Sequence, residues 1–139
     1  MGHLTDARAA IQAVLKQIQT DWTAYPLVVE LDNRDVVDQA TQSYPYLSVQ
    51  IVPMGGGQAD IGARPLVEQR GQILLYAAAR VGTGAAGADA LLDFLTDYFD
   101  MKTVGPVRCH AVVATEPHDL KGWHYTPAII DYWYHRQSK

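Results

Sequence analysis

The run Gly82-Thr83-Gly84-Ala85-Ala86-Gly87 carries the sharpest chemical signal in the chain. It matches G-x-G-x-x-G, follows a segment with strand character and opens one with helix character. In a dinucleotide-binding fold such glycines let a pyrophosphate approach a helix N-terminus, where backbone N–H groups and the helix dipole favour anions. The context argues against that use. The motif lies late in the chain and no further βαβ units follow it. The next strand carries Cys109 and His110, and its one acid, Glu116, lies beyond the usual offset of about 20 residues, in a turn beside Pro117. Gly82 and Gly84 therefore read as a strand-to-helix turn with Thr83 as its cap. A small nucleotide-binding domain using Gly82 to Gly87 stands as the alternative.

The other reactive residues are scattered. His118 and His124 flank one loop, and Cys109 and His110 sit on a neighbouring strand. Zinc ligands recur as tightly spaced pairs, a pattern that these residues do not form. Neighbouring strand residues such as Cys109 and His110 point to opposite faces, so both cannot chelate one ion without distortion. They read as a buried cysteine and solvent-facing imidazoles. Ser43, Ser48 and Ser138 lack the glycines of a nucleophile elbow. No paired-carboxylate or Cys–His arrangement stands out. The expectation is a protein without catalytic residues, metal or cofactor.

Two patterns point to surfaces. Asp89, Asp93, Asp97 and Asp100 share one stripe of a helix whose other side carries Ala88, Leu91, Leu92, Leu95, Tyr98 and Phe99. Like charges at i,i+4 cost on the order of 0.2–0.5 kcal/mol per pair, and Asp97 and Asp100 sit where the helix dipole disfavours anions. The stripe reads as a solvated face or as a wall past which a polyanion such as DNA slides. The closing segment is rich in aromatics. Trp123, Tyr125 and Trp133 share one strand face and Tyr132 and Tyr134 the other. Aromatics on both sides suit a strand with core on one side and a partner or helix on the other.

Elements that position these residues follow from periodicity. Leu4, Ala7, Ile11, Val14, Leu15, Ile18 and Trp22 mark a first helix, with Thr5 and Asp6 as cap candidates. Leu27 to Leu31 is a short strand. Leu47, Val49 and Ile51 alternate with Ser48 and Gln50 in a strand from Tyr44 to Val52, ended by Pro53 and Gly55-Gly56-Gly57. Met54 to Pro65 lacks periodicity and reads as a flexible loop. A strand from Val67 to Val81, a helix from Ala85 to Met101, a strand from Pro106 to Ala114, a loop from Glu116 to Gly122 and a strand from Trp123 to Arg136 complete the chain. This order predicts one α+β domain over residues 1–139, with a mostly antiparallel or mixed sheet of about four to five strands and two helices packed on one face.

Composition fits that plan. The chain has 139 residues, 48% hydrophobic and 19% charged, the balance of a globular domain. A net charge of −4 is a poor match to DNA phosphates, so no specific nucleic-acid binding is expected. One cysteine cannot form an internal disulfide. No segment has the length and hydropathy of a membrane span, the N-terminus lacks a signal-peptide pattern, and Asp6 stands where myristoylation calls for Ser or Thr. A cytoplasmic protein is expected.

The order of these features resembles the tail terminator (tail completion) family of long-tailed bacteriophages and prophages, from Leu4 to about Arg136. The matching pieces are Val28-Val29-Glu30-Leu31-Asp32-Asn33, a strand ending in an acid-Asn turn, and Tyr46-Leu47-Ser48-Val49-Gln50-Ile51 before a glycine-rich loop. Then come Arg70-Gly71 opening Gln72-Ile73-Leu74-Leu75, Gly82-Thr83-Gly84 before the helix at Ala88, and the Trp-led Trp123-His124-Tyr125. Pro127 departs from the pattern by removing a ladder donor from the closing strand. The resemblance implies a structural virion protein that closes into a ring, commonly hexameric, on the last ring of tail-tube subunits. It would end tube growth and offer a face to the head–tail connector protein. Its partners would be itself, the tail-tube protein and the connector, with no membrane. Its place would be the virion tail, and the host bacterial cytoplasm during assembly. Another head–tail joining or minor tail protein is the neighbouring alternative. On this reading Met54, Gly55, Gly56, Gly57, Gln58, Asp60 and Arg64 form the candidate ring or tube contact, and Asp89, Asp93, Asp97 and Asp100 the candidate channel face.

Overall fold

The structure is a computed structural model and describes residues 4–32, 41–58, 66–82 and 86–137. Helix α1 (Leu4–Asp21) buries Ala7, Ile11, Leu15 and Ile18, the three- and four-residue spacing that makes one apolar stripe. Thr5 and Asp6, expected ahead of the helix, lie in its first turn, where the Asp6 carboxylate favours the positive end of the dipole. Strands β1 (Val29–Leu31), β2 (Tyr46–Gln58) and β3 (Leu66–Arg80) follow, then helix α2 (Ala86–Phe99). The chain ends with β4 (Thr103–Val104), β5 (Val107–Ala114), β6 (His118–Leu120) and β7 (Trp123–Gln137).

The expectation of an α+β sheet of about four to five strands is overturned. The described residues are 50% strand and 28% helix, and their 7 strands form a curled half-barrel, so the fold is mostly β. The order is β1-β2-β3-β7-β5-β4, with β6 also paired to β7. Only β1 and β2 run parallel among these pairs. The two strands that the sequence does not announce, β4 and β6, have 2 and 3 residues. That is too short for alternation to register.

Both helices pack on one face of the sheet. That face takes the odd residues of β3 from Gly71 to Ala79, with Ala128, Ile130, Tyr132 and Tyr134 of β7 and Leu47, Val49 and Ile51 of β2. The helices are joined by the Tyr98 hydroxyl, which donates to the Asp21 carboxylate. Because that bond favours the neutral phenol, the Tyr98 pKa is pushed up to about 12.

The loop expected from Met54 to Pro65 is also corrected. Strand β2 runs on to Gln58, and residues 59–65, with Asp60 and Arg64, lie outside the described residues. A bulge between Pro53 and Gly55 carries the strand past the proline, with Gly55 at φ +84°. At Gly56 the backbones of β2 and β3 approach so closely that a Cβ would stand 1.8 Å from the Glu68 carbonyl oxygen. The glycines permit this pairing rather than ending the strand. The proline protects the edge instead. Asp32 N donates to Val49 O and Ile51 N to Asp32 Oδ1, so the odd residues of β2 aim their polar groups outward, and Pro53 is next in that series. Its missing donor removes a handle for stray strands.

Pro127 does not break β7. Thr115 N donates to its carbonyl at 2.9 Å, so the nitrogen of Pro127 faces the same side. That is the junction where β7 changes partner, from β5 at Ala128 to β6 at Tyr125. No bond to β3 is lost. The β6–β7 hairpin closes on Lys121 and Gly122 at φ +50° and +83°, the left-handed pair of a two-residue turn whose twist matches its strands.

Cys109 of β5 is buried beneath the helices, and desolvation pushes its pKa up to about 11. Two outcomes follow. At pH 8 the folded thiol should react with iodoacetamide on the order of a hundredfold more slowly than in denaturant, since only the thiolate attacks. The raised pKa also favours the neutral thiol in the folded state. Its contribution to stability is complete below the unfolded pKa, near 9, and is lost as pH rises towards 11. Equal alkylation rates in the folded and unfolded chain would refute the burial.

Candidate functional site

The face of the sheet away from the helices brings apolar, aromatic and charged side chains together. Strand alternation builds it. The even residues of β2 and β3 meet the odd residues of β7, through the pairs Ser48↔Tyr76↔Pro127, Gln50↔Leu74↔Ile129 and Val52↔Gln72↔Asp131. Strand β5 extends the rows with Val113 opposite Ile129 and Arg108 opposite Trp133. The middle of this face is apolar, with Leu74 and Ile129 half-buried and Val113 56% exposed.

One end carries a hollow of about 570 Å³ lined by Glu68, Arg70, Gln72, His110, Asp131 and Trp133 among others. Four of its polar groups are tied in pairs. Arg70 Nε donates to Glu68 Oε2 at 2.5 Å, and Gln72 Nε2 donates to Asp131 Oδ1 at 3.0 Å. The Arg108 guanidinium lies 5.2 Å from the Trp133 ring centre, within cation–π range. Trp133 also touches the His135 ring at 4.9 Å.

The other end is aromatic. Ala78 is small and fully buried, and it lies between Tyr46 and Tyr125 in the cross-strand row. The two tyrosine hydroxyls meet at 3.3 Å. Trp123 is 0% exposed, with Tyr46 edge-on at 5.0 Å and the Arg80 guanidinium over its ring at 4.6 Å. A smaller hollow of about 210 Å³ opens here, lined by Tyr76, Tyr125, His118, Glu30 and Leu120, the last 53% exposed. The His118 ring stacks on Tyr125 at 5.4 Å.

The residues singled out in the sequence fall in three places. Asp89, Asp93 and Asp97 lie exposed on the solvent side of α2. Asp100 leaves the stripe: its Oδ1 accepts Val112 N at 2.8 Å, beside the bulge of β5. With Cys109 N donating to Lys102 O and Met101 N to His110 O, it stitches the end of α2 to the edge of β5. Met54 and Gly55 to Gly57 sit exposed at the far end of β2, next to the larger hollow. Gly82 has φ +95° as a turn glycine, while Thr83 and Gly84 lie outside the described residues. Strand β3, which precedes that turn, has antiparallel neighbours on both sides, which does not suit the parallel crossover of a dinucleotide fold.

The histidines part ways. His110 and His118 are exposed, but His124 is not the solvent-facing ring expected. Its Nδ1 lies 2.6 Å from Asp119 Oδ1, and its Nε2 is buried. Among the described residues no three His, Cys, Asp or Glu side chains are placed to hold a metal ion, and no helix is long and apolar enough to cross a membrane. The sequence reading missed Arg70, Arg108, Gln72 and Asp131 as a group. The signal was present in part: Glu68, Arg70 and Gln72 recur at every second position, the spacing of one strand face.

Comparison with known proteins adds the fold. No family model and no curated protein matches the chain. Solved structures do, in 24 chains. One of them is 18% identical and superposes with a TM-score of 0.63 over 91% of this chain and 94% of its own. At that identity the likeness is one of fold alone, and the designation of that protein carries no activity.

Proposed function

We propose that this chain is a structural protein of a long-tailed phage or prophage, a tail terminator that closes into a ring on the tail tube. It ends tube polymerisation and presents a face to the head–tail connector. The observation that carries the reading is the helix-free face. It is a broad sheet surface with an apolar centre and Arg70, Arg108, Trp133 and Tyr125 around it, types that dominate protein–protein contacts. The motifs behind the resemblance also occupy demanding positions. Asp32 bonds the β2 edge, Gly71 makes room for Tyr132, Gly82 takes a positive φ in the turn after β3, and Trp123 anchors the second buried cluster.

The partners on this reading are further copies of the chain, the tail-tube protein and the connector protein. Deleting the gene from its phage or prophage and imaging the particles tests it. Loss of the cap should leave tails of variable, often excessive length that fail to join heads. Tails of normal length joined to heads would refute the proposal.

A further inference from the structure

Resting on the ring reading, we infer that neighbouring copies meet head to tail, with the α2 acidic stripe of one copy seated on the Arg70–Trp133–Arg108 row of the next. Asp89, Asp93 and Asp97 are exposed, and none has a cationic partner among the described residues. They repel one another along the helix, and Asp97 also opposes the dipole. An external cation relieves both effects. Arg108 is exposed and stacks on Trp133 with no carboxylate partner among the described residues. Arg70 has a side chain 68% exposed and commits only its Nε to Glu68, leaving the outer edge of the guanidinium for a second carboxylate.

Position and spacing then select the partner. The carboxylates lie on the outside of the helix layer and the arginines on the opposite face of the sheet, so one chain cannot bring them together. Two different patches joined between identical copies are the contact from which a ring is built. Arg70 and Arg108 flank Trp133 in register, one strand to either side, which sets their backbones about 9–10 Å apart. Asp89 and Asp97 are two helical turns apart, about 12 Å at 1.5 Å per residue. The two pairs can therefore be engaged together, with Asp93 over the Trp133 edge. Arginine and tryptophan are also the side chains that most often dominate such contacts.

The experiment is a charge exchange in a chain that still carries both surfaces. Asp89→Arg and Arg108→Asp are made singly and together, and purified chains are added to tail tubes whose capped ends are counted by electron microscopy. Thermal melts confirm folding, and Asp97→Arg with Arg70→Asp forms a second set. Each single change places like charges in contact and should lower capping at least about tenfold. The double change restores opposite charges at every joint of the ring and should return capping to within about twofold of wild type. Single variants that cap normally would overturn the contact while leaving the ring reading intact. So would singles that cap normally but slow DNA ejection, since the stripe would then face the channel. A double variant as defective as its worse parent would also overturn it. Wild-type chain that caps no tube would remove the ring reading itself, and this contact with it.

Discussion

Replacing Asp32 with alanine should lower stability by roughly 2–4 kcal/mol and Tm by about 10 °C. One carboxylate here serves three elements. Its Oδ1 accepts Ile51 N at 2.9 Å, just past the end of the β1–β2 pairing, and its Oδ2 is paired with Arg8 of α1. Its own N–H donates to Val49 O at 2.9 Å. Alanine keeps the last bond and loses the other two. Ile51 is 4% exposed, so its N–H has little water to turn to, and an unsatisfied buried donor costs about 1–3 kcal/mol. The Arg8 pair is about a third exposed and adds less, up to about 1 kcal/mol. Asp32 also sits at φ +44°, which asparagine tolerates and alanine resists. Asp32→Asn keeps an acceptor for Ile51 and should retain most of the stability. Urea denaturation of the two variants measures this. An alanine variant within 0.5 kcal/mol of the asparagine variant would show that the carboxylate is not what closes this edge.

Where the sequence speaks in a regular period, it locates the elements. Ile11, Leu15 and Ile18 on α1 and Leu91, Leu95 and Phe99 on α2 recur at helical spacing and are buried. Leu47, Val49 and Ile51 alternate and are buried too. The two faces of β7 separate as alternation requires, with Tyr132 and Tyr134 under the helices and Trp133 on the open side. Local pattern understates the strand content because the signals that end a strand in general do not end β2. Pro53 and the glycines mark a stop only if no bulge follows, and Gly56 is needed by a partner strand that local pattern does not show. Strand β2 is 13 residues long for that reason.

The candidate surface was less legible still. Arg70, Trp133 and Arg108 form a row only because β7 lies between β3 and β5, and that order comes from pairing between distant segments. Asp100 looked like a fourth member of the acidic stripe because helical spacing is blind to what lies past the helix end. A strand backbone waits there with a free N–H, and Val112 takes the carboxylate out of the stripe.

Gly71→Ala should cost roughly 2–3 kcal/mol, although it adds one methyl group on a strand. Gly71 faces Tyr132 directly across the β3–β7 pair, and a Cβ built on it would lie 2.4 Å from the ring carbon that bears the hydroxyl. The ring has taken the space that the missing side chain leaves. Tyr132 cannot simply swing away, because it is 2% exposed and stacked near parallel to Tyr134 at 6.4 Å. Moving it would disturb the layer between the sheet and the helices, where packing is close to crystalline and small displacements are felt. Shortening the opposing side chain should relieve the clash. Tyr132→Leu alone should destabilise by leaving a cavity, yet in that background Gly71→Ala should cost less than about 1 kcal/mol. The two changes are therefore expected to couple by roughly 1.5–2 kcal/mol in a double-mutant cycle. Strictly additive losses would mean that Gly71 is required for its backbone alone, and that Tyr132 does not depend on the gap opposite it.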